Sequence, residues 1–318
     1  MRKYESIKKV ELNCHIDGSL DIMLASKWLK ITPAEAKEKL TRTEGIKNLS
    51  NYLDKFKLPI SILQTKTHLK EASYTLLETL KSENVVYAEC IIAPLSHTKK
   101  GMTIGEVVEN VLEGFQMCDM NSRLILALRR EDGIAENKKV IDVAKKYLKK
   151  GVCAVTLVGD EVMFPTQTFK ELFTYATSKG VLFTVCAGET GTFKDIDAAI
   201  KFGASRISVG VQAIKSFETM ENLKKKSIPL EICLSTNLDI RLYNKIYDHP
   251  VGRLKDSGVP LVICSGNRTI SKTDLSHEYY LLAKYFGFTN EDFKKMNIEA
   301  INHAFVSEKE KEELLKKL

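Results

Sequence analysis

The 318-residue sequence has no stretch approaching the ~18 consecutive apolar residues of a membrane-spanning helix, and its opening residues, MRKYESIKK, lack the apolar core of a signal peptide. A cytoplasmic location is expected. Proline (7) and glycine (17) are scarce, which excludes collagen-like chains, long disordered tails and loop-dominated scaffolds. The seven cysteines form an odd set with no C-x-x-C pair, mostly inside apolar runs, as small buried thiols do in a reducing compartment; no disulfide framework is expected. The net charge of +7 is spread along the chain, and the lysine runs alternate with glutamate, as at 307–318. Such runs read as solvated helix faces, so neither a nucleic acid nor a membrane is expected as partner, and a protein partner stays unknown.

What is present is regular alternation. Apolar, often β-branched runs recur at 10–14, 85–92, 124–128, 153–158, 181–186, 206–210, 230–234 and 261–264, with 3.6-residue periodicity between them. Near-continuous apolar runs fit parallel strands covered on both faces. Thr32-Pro33-Ala34-Glu35 and Thr103-Ile104-Gly105-Glu106 read as helix-starting boxes, and Gly180 and Gly203 as helix stops. Eight strand–helix alternations predict an α/β fold, a (β/α)8 TIM barrel, with a helical insertion after the first strand (33–40, 49–56, 68–82) and a helical extension after Asp274, as one domain over 1–318. A doubly wound open sheet is the alternative, but 10–18 holds no G-x-G-x-x-G fingerprint.

In a barrel, chemistry collects at the C-terminal ends of the strands. Of the six histidines only His15 falls at such an end, so a three-histidine zinc site is not available at the mouth, and no H-E-x-x-H, P-loop or G-x-S-x-G is found.

The run Glu11-Leu12-Asn13-Cys14-His15-Ile16-Asp17-Gly18-Ser19-Leu20 resembles the first-strand motif E-L-H-x-H-x-D-G-S-L of the adenosine deaminase family. Tyr87-Ala88-Glu89, Val158-Gly159-Asp160-Glu161, Ala187-Gly188-Glu189, Glu231-Ile232-Cys233 with Asn237, and the segment from His249 to Pro260 extend the resemblance over nearly the whole chain. The resemblance implies a zinc held by both histidines of H-x-H, a histidine in H-A-G-E and an aspartate of S/T-D-D-P. It also implies a histidine base in R-I-G-H-G, and the H-A-G-E glutamate protonating a purine ring nitrogen. Of these only His15 and Glu189 match; Asn13, Cys186, Gly266 and Val209 stand at the other three ligand positions and the base. Ile91, Thr156, Asn267 and Arg268 also replace the family's usual residues.

A neutral amide, a glycine and one histidine cannot lower the pKa of a bound water from ~15.7 to about 7 as the family's ligand set does. The expectation is therefore a catalytically altered homologue, a pseudoenzyme without zinc or other cofactor, that binds a purine nucleoside or related small molecule. Glu189 is the retained acid, and His15, Asp17, Gly18, Gly159, Cys186 and Asn267 line the ligand site, with Asp17 and Gly18 toward the ribose and Gly159 toward the base. For Cys186 a plain buried thiol and for His15 a hydrogen-bonded core imidazole are the bland counterparts. One alternative is an active hydrolase or deaminase whose remodelled site uses Glu189, His15 and Cys186 on a purine nucleoside-like substrate; another is a structural or partner-binding protein. If only the chemical groups are missing, Asn13→His, Cys186→His, Val209→His and Gly266→Asp together should regain zinc.

Overall fold

Each of the eight apolar runs forms a strand, and every neighbouring pair is parallel: β1 (Lys9–His15), β2 (Val85–Ile92), β3 (Ser122–Arg129), β4 (Val152–Val158), β5 (Phe183–Ala187), β6 (Arg206–Val209), β7 (Leu230–Ile232) and β8 (Leu261–Ile263), hydrogen-bonded in sequence order. The computed structural model describes residues 2–43, 46 and 48–318. A parallel bridge between Cys14 and Gly266 closes the ring: the Gly266 N–H donates to the Asn13 carbonyl and the His15 N–H to the Gly266 carbonyl, both at 2.9 Å. This is a (β/α)8 barrel.

The start and stop residues act as their chemistry dictates. Thr32 and Glu35 cap each other's backbone N–H at the head of the helix Pro33–Leu40, and Thr103 with Glu106 does the same for Ile104–Gln116. Gly203 ends Phe193–Phe202 in the left-handed region at φ +94°. Several boundaries differ from the sequence pattern: the strand expected over 181–186, for example, is Phe183–Ala187. The expected helix 49–56 is Leu49–Leu53 followed by a 3₁₀ turn, Asp54–Phe56, and the strand expected over 230–234 stops at Ile232 because Leu234 already opens the helix Leu234–Asp239.

The outer strand faces pack against the helices, while the base of the barrel interior is polar. Arg206 is fully buried between Glu89 (2.6 Å) and Glu231 (2.5 Å), donates to the His303 carbonyl and lies over the Phe305 ring. A buried charge survives only when paired in this way. The C-terminal extension reaches the first strand: Asn297, on the helix Asn290–Asn302, accepts the Val10 N–H at 2.9 Å and donates to the Lys8 carbonyl. All seven cysteines are free, six of them buried and Cys186 half-buried. No helix among the described residues is long and apolar enough to cross a membrane.

Candidate functional site

The C-terminal ends of the strands surround a cavity of about 620 Å³. Its lining includes Asn13, His15, Asp17, Gly159, Cys186, Glu189 and Asn267, together with Ser208 and Val209. Leu53, Phe56 and Ile60 from the insertion, with Met163 and Phe164 after β4, give it an apolar rim suited to the faces of an aromatic ring. Six of the seven site residues expected from sequence thus meet in one cavity. Gly18 does not line it. The Asn267 carboxamide lies across Gly18, its oxygen 2.2 Å from where a Cβ would stand, so the glycine makes room for this neighbour.

Glu189 follows β5 on a turn that Glu161 holds. The Glu161 carboxylate accepts the N–H groups of Gly188 (2.6 Å), Glu189 (2.9 Å) and Thr190 (3.3 Å). Glu189 Oε1 accepts the side-chain amide of Asn237 at 3.0 Å, and Cys186 Sγ lies 3.8 Å from Oε2. Burial, then the negative Glu161 nearby, raises the Glu189 carboxyl to about 8, so it holds its proton at neutral pH. His15 is shifted the other way: burial lowers its pKa against the pull of Asp17 and Glu231, leaving a neutral imidazole. An acid that keeps its proton and a base that is free of one therefore line the same cavity.

Asp17 accepts the Gly18 N–H at 2.9 Å. Its other oxygen faces His97 Nε2 at 3.7 Å, while His97 Nδ1–H donates to the Leu63 carbonyl. Burial opposes ionisation of Asp17, but His97, His15 and the Gly18 N–H outweigh it and hold the carboxyl below its ordinary value. Gly159 adopts φ +115°, and a Cβ there would meet the Glu131 carboxylate at 2.6 Å, so this position admits only glycine.

The residues do not fit the zinc that the family resemblance implies. Asn13 donates its two amide hydrogens to Ser208 Oγ (2.8 Å) and Glu231 Oε2 (2.9 Å) and belongs to the polar floor. Gly266 offers no side chain, and its backbone closes the barrel. Burial, with Glu189 and Glu161 beside it, pushes the Cys186 thiol well above its ordinary value, away from the thiolate a metal requires. Glu161, Cys186 and Glu189 bring ligand atoms within 4.8 Å of one another, but both Glu161 oxygens already serve the turn and Glu189 Oε1 serves Asn237. At the base position, Val209 sits at φ +68°, where a β-branched residue is a true outlier.

Sequence reasoning did not find the roles of Glu161, His97, Asn237 and His249. Glu161, Asn237 and His249 lay inside the recognised motifs, but their partners come from other strands and loops, and no local spacing announces them.

The family model described as adenosine deaminase matches residues 8–318. The chain is 35% identical over 317 residues to an adenosine deaminase of Clostridium kluyveri, covering 96% of this chain and 91% of the relative. It is 34% identical to one from Clostridium perfringens, covering 97% of each. Among solved structures, an Arabidopsis N6-mAMP deaminase superposes with a TM-score of 0.87 at 24% identity, covering 99% of this chain and 98% of that one. These findings overturn the expectation of a pseudoenzyme: relatives named as deaminases at about 35% identity over nearly the full length point to an active deaminase. That expectation equated the loss of the metal ligands with the loss of all chemistry, whereas the acid Glu189 and the imidazole of His15 still face the cavity. The chain belongs to the adenosine deaminase family.

Proposed function

We propose that the chain hydrolytically deaminates a purine nucleoside-like substrate by acid–base chemistry at its remodelled site. The observation that carries this reading is the pairing, in one cavity, of a protonated Glu189 with a neutral His15. The cavity's volume and apolar rim suit a purine, and Asp17 offers a carboxylate to sugar hydroxyls.

The Glu189 carboxyl gives its proton to a ring nitrogen next to the carbon that bears the amino group. Water attacks that carbon while a ring nitrogen of His15 takes its proton. The imidazolium gives that proton to the departing nitrogen, the C–N bond breaks as ammonia leaves, and the proton of the new hydroxyl passes to the Glu189 carboxylate, which leaves a carbonyl on the product and restores the acid. Cys186 is a neutral thiol at the edge of the acid and carries no step.

The test is ammonia release from adenosine, 2′-deoxyadenosine, adenosine 5′-monophosphate and free adenine. Glu189→Gln and His15→Ala should each slow release from the best substrate by roughly 10²–10⁴-fold, the usual worth of one acid or base. Absence of release from all four, or full activity in Glu189→Gln, overturns the reading.

A further inference from the structure

Asn237 is fully buried on the helix Leu234–Asp239, and His249 is buried just after the 3₁₀ turn Ile246–Asp248. The backbone N–H of Val251 donates to His249 Nδ1 at 3.2 Å. That nitrogen must present its lone pair, which places the imidazole hydrogen on Nε2. Nε2 lies 3.1 Å from Asn237 Oδ1, so it donates there and fixes which end of the amide is oxygen. The amide nitrogen then points at Glu189 Oε1, 3.0 Å away, as donor. The edges of Tyr243 and Phe286 enclose the imidazole at ring-centroid distances of 5.0 and 6.4 Å, and burial lowers its pKa to about 3, so it stays neutral and keeps this tautomer.

We propose that Asn237 and His249 are positioning residues that dictate which oxygen of Glu189 carries the catalytic proton. Oε1 accepts the Asn237 amide hydrogen and cannot hold a hydrogen of its own on that side. The proton sits on Oε2, beside Cys186 Sγ and the cavity. The direction of every hydrogen in the chain is set by one backbone N–H, that of Val251. The inference rests on the proposed role of Glu189 as acid, and it extends that role to two residues that touch no substrate.

The experiment reads the carboxyl directly. Infrared spectra of protein carrying ¹³C-labelled glutamate, with Glu189→Gln as the subtraction, isolate the C=O band of protonated Glu189 at neutral pH. In Asn237→Leu the carbonyl loses its donor and the band should move to higher frequency. In His249→Phe the Asn237 amide is free to turn and the band should broaden or split, while His249→Gln, which places an N–H near Nε2, should restore the single band. Kinetics with adenosine should show kcat lowered roughly 10- to 100-fold in Asn237→Leu and His249→Phe, with KM changed less than about threefold and most of kcat regained in His249→Gln. Should Asn237→Leu or His249→Phe fail to fold, Asn237→Ala and His249→Ala remove the same donors with smaller side chains and supply the same comparison. A band that does not move when the Asn237 donor is removed overturns the relay, as does a kcat loss matched by KM without rescue. Lack of turnover in the wild type overturns the proposed reaction alone, because the band still decides the relay.

Discussion

Asn13 donates its side-chain amide to Glu231 Oε2 across the floor of the barrel at 2.9 Å, and the second amide hydrogen goes to Ser208. A position that holds a metal-binding histidine in the family pattern is here a neutral link in a network that runs through Glu231 to Arg206. Asn13→His should destabilise the fold by about 1–3 kcal/mol, because a neutral imidazole has one N–H for two buried acceptors. Urea unfolding measures it, and unchanged stability would show that the floor is not a closed network.

Gly266→Asp should be destabilising by about 1–3 kcal/mol, since φ is +62° and the new Cβ would lie 3.1 Å from Cys233 Sγ. The Asn13 carbonyl accepts the Gly266 N–H, so the two substitutions are coupled and their losses should not simply add. Returning the family's residues to both positions therefore strains the scaffold before any metal is offered. Thermal unfolding of the single and double variants checks this, and a rise in melting temperature would contradict it.

Val209 and Val185 are both buried strand valines, but only Val209 has a positive φ. Val209→Gly relieves backbone strain while it loses packing, whereas Val185→Gly only loses. The Val209 variant should be milder by about 1–3 kcal/mol. Equal losses in denaturant would mean that the backbone at Val209 is not strained.

Glu189 at about 8 and Glu161 at about 7 are both raised, chiefly by burial. Between pH 6.5 and 8 the protons that Glu189, Glu161, Glu11 and Glu278 keep in the fold outnumber those that the lowered His15, His249 and Lys9 lose on folding, so the folded state holds more protons than the unfolded state. Stability should therefore fall between pH 6.5 and 8, by about 2–4 kcal/mol, and fall less in Glu189→Gln. Turnover should decline as pH rises through about 8, where Glu189 loses its proton, and Glu161→Gln should bring that decline to lower pH by removing a neighbouring negative charge. Stability that climbs across this window would show that the two carboxyls are ionised in the fold.

Asp17→Asn should raise KM for adenosine by roughly 5- to 100-fold with a smaller effect on kcat, the equivalent of about 1–3 kcal/mol for one charged hydrogen bond. An unchanged KM would place the sugar elsewhere in the cavity.

The barrel was legible because each strand is a short β-branched run and each helix carries its own caps, as at Thr32 and Thr103. The family resemblance, carried by motifs at the strand ends, then led to His15, Asp17, Gly159, Cys186, Glu189 and Asn267. What the sequence hid is how polar atoms are shared. That Asn13 is occupied by Ser208 and Glu231, that Gly18 yields to Asn267, and that Glu189 is reached from His249 through Asn237 all depend on partners far away in the chain. The identity of a residue shows which bonds it can make, and only the packed barrel shows which are already taken.

The closure of the ring also sets the order in which the chain can assemble during synthesis. β1 emerges from the ribosome with one edge unsatisfied; Gly266, which pairs with that edge, and Asn297, which takes the Val10 N–H from 287 residues away, are translated long after it. Strands from β2 to β7 can add side by side as they appear, but the first strand must wait exposed until β8 and the closing helices arrive. A ribosome stalled before residue 266 should hold an open, protease-sensitive sheet that recruits chaperones, and synthesis of residues 266–318 should convert it to the resistant barrel in one cooperative step.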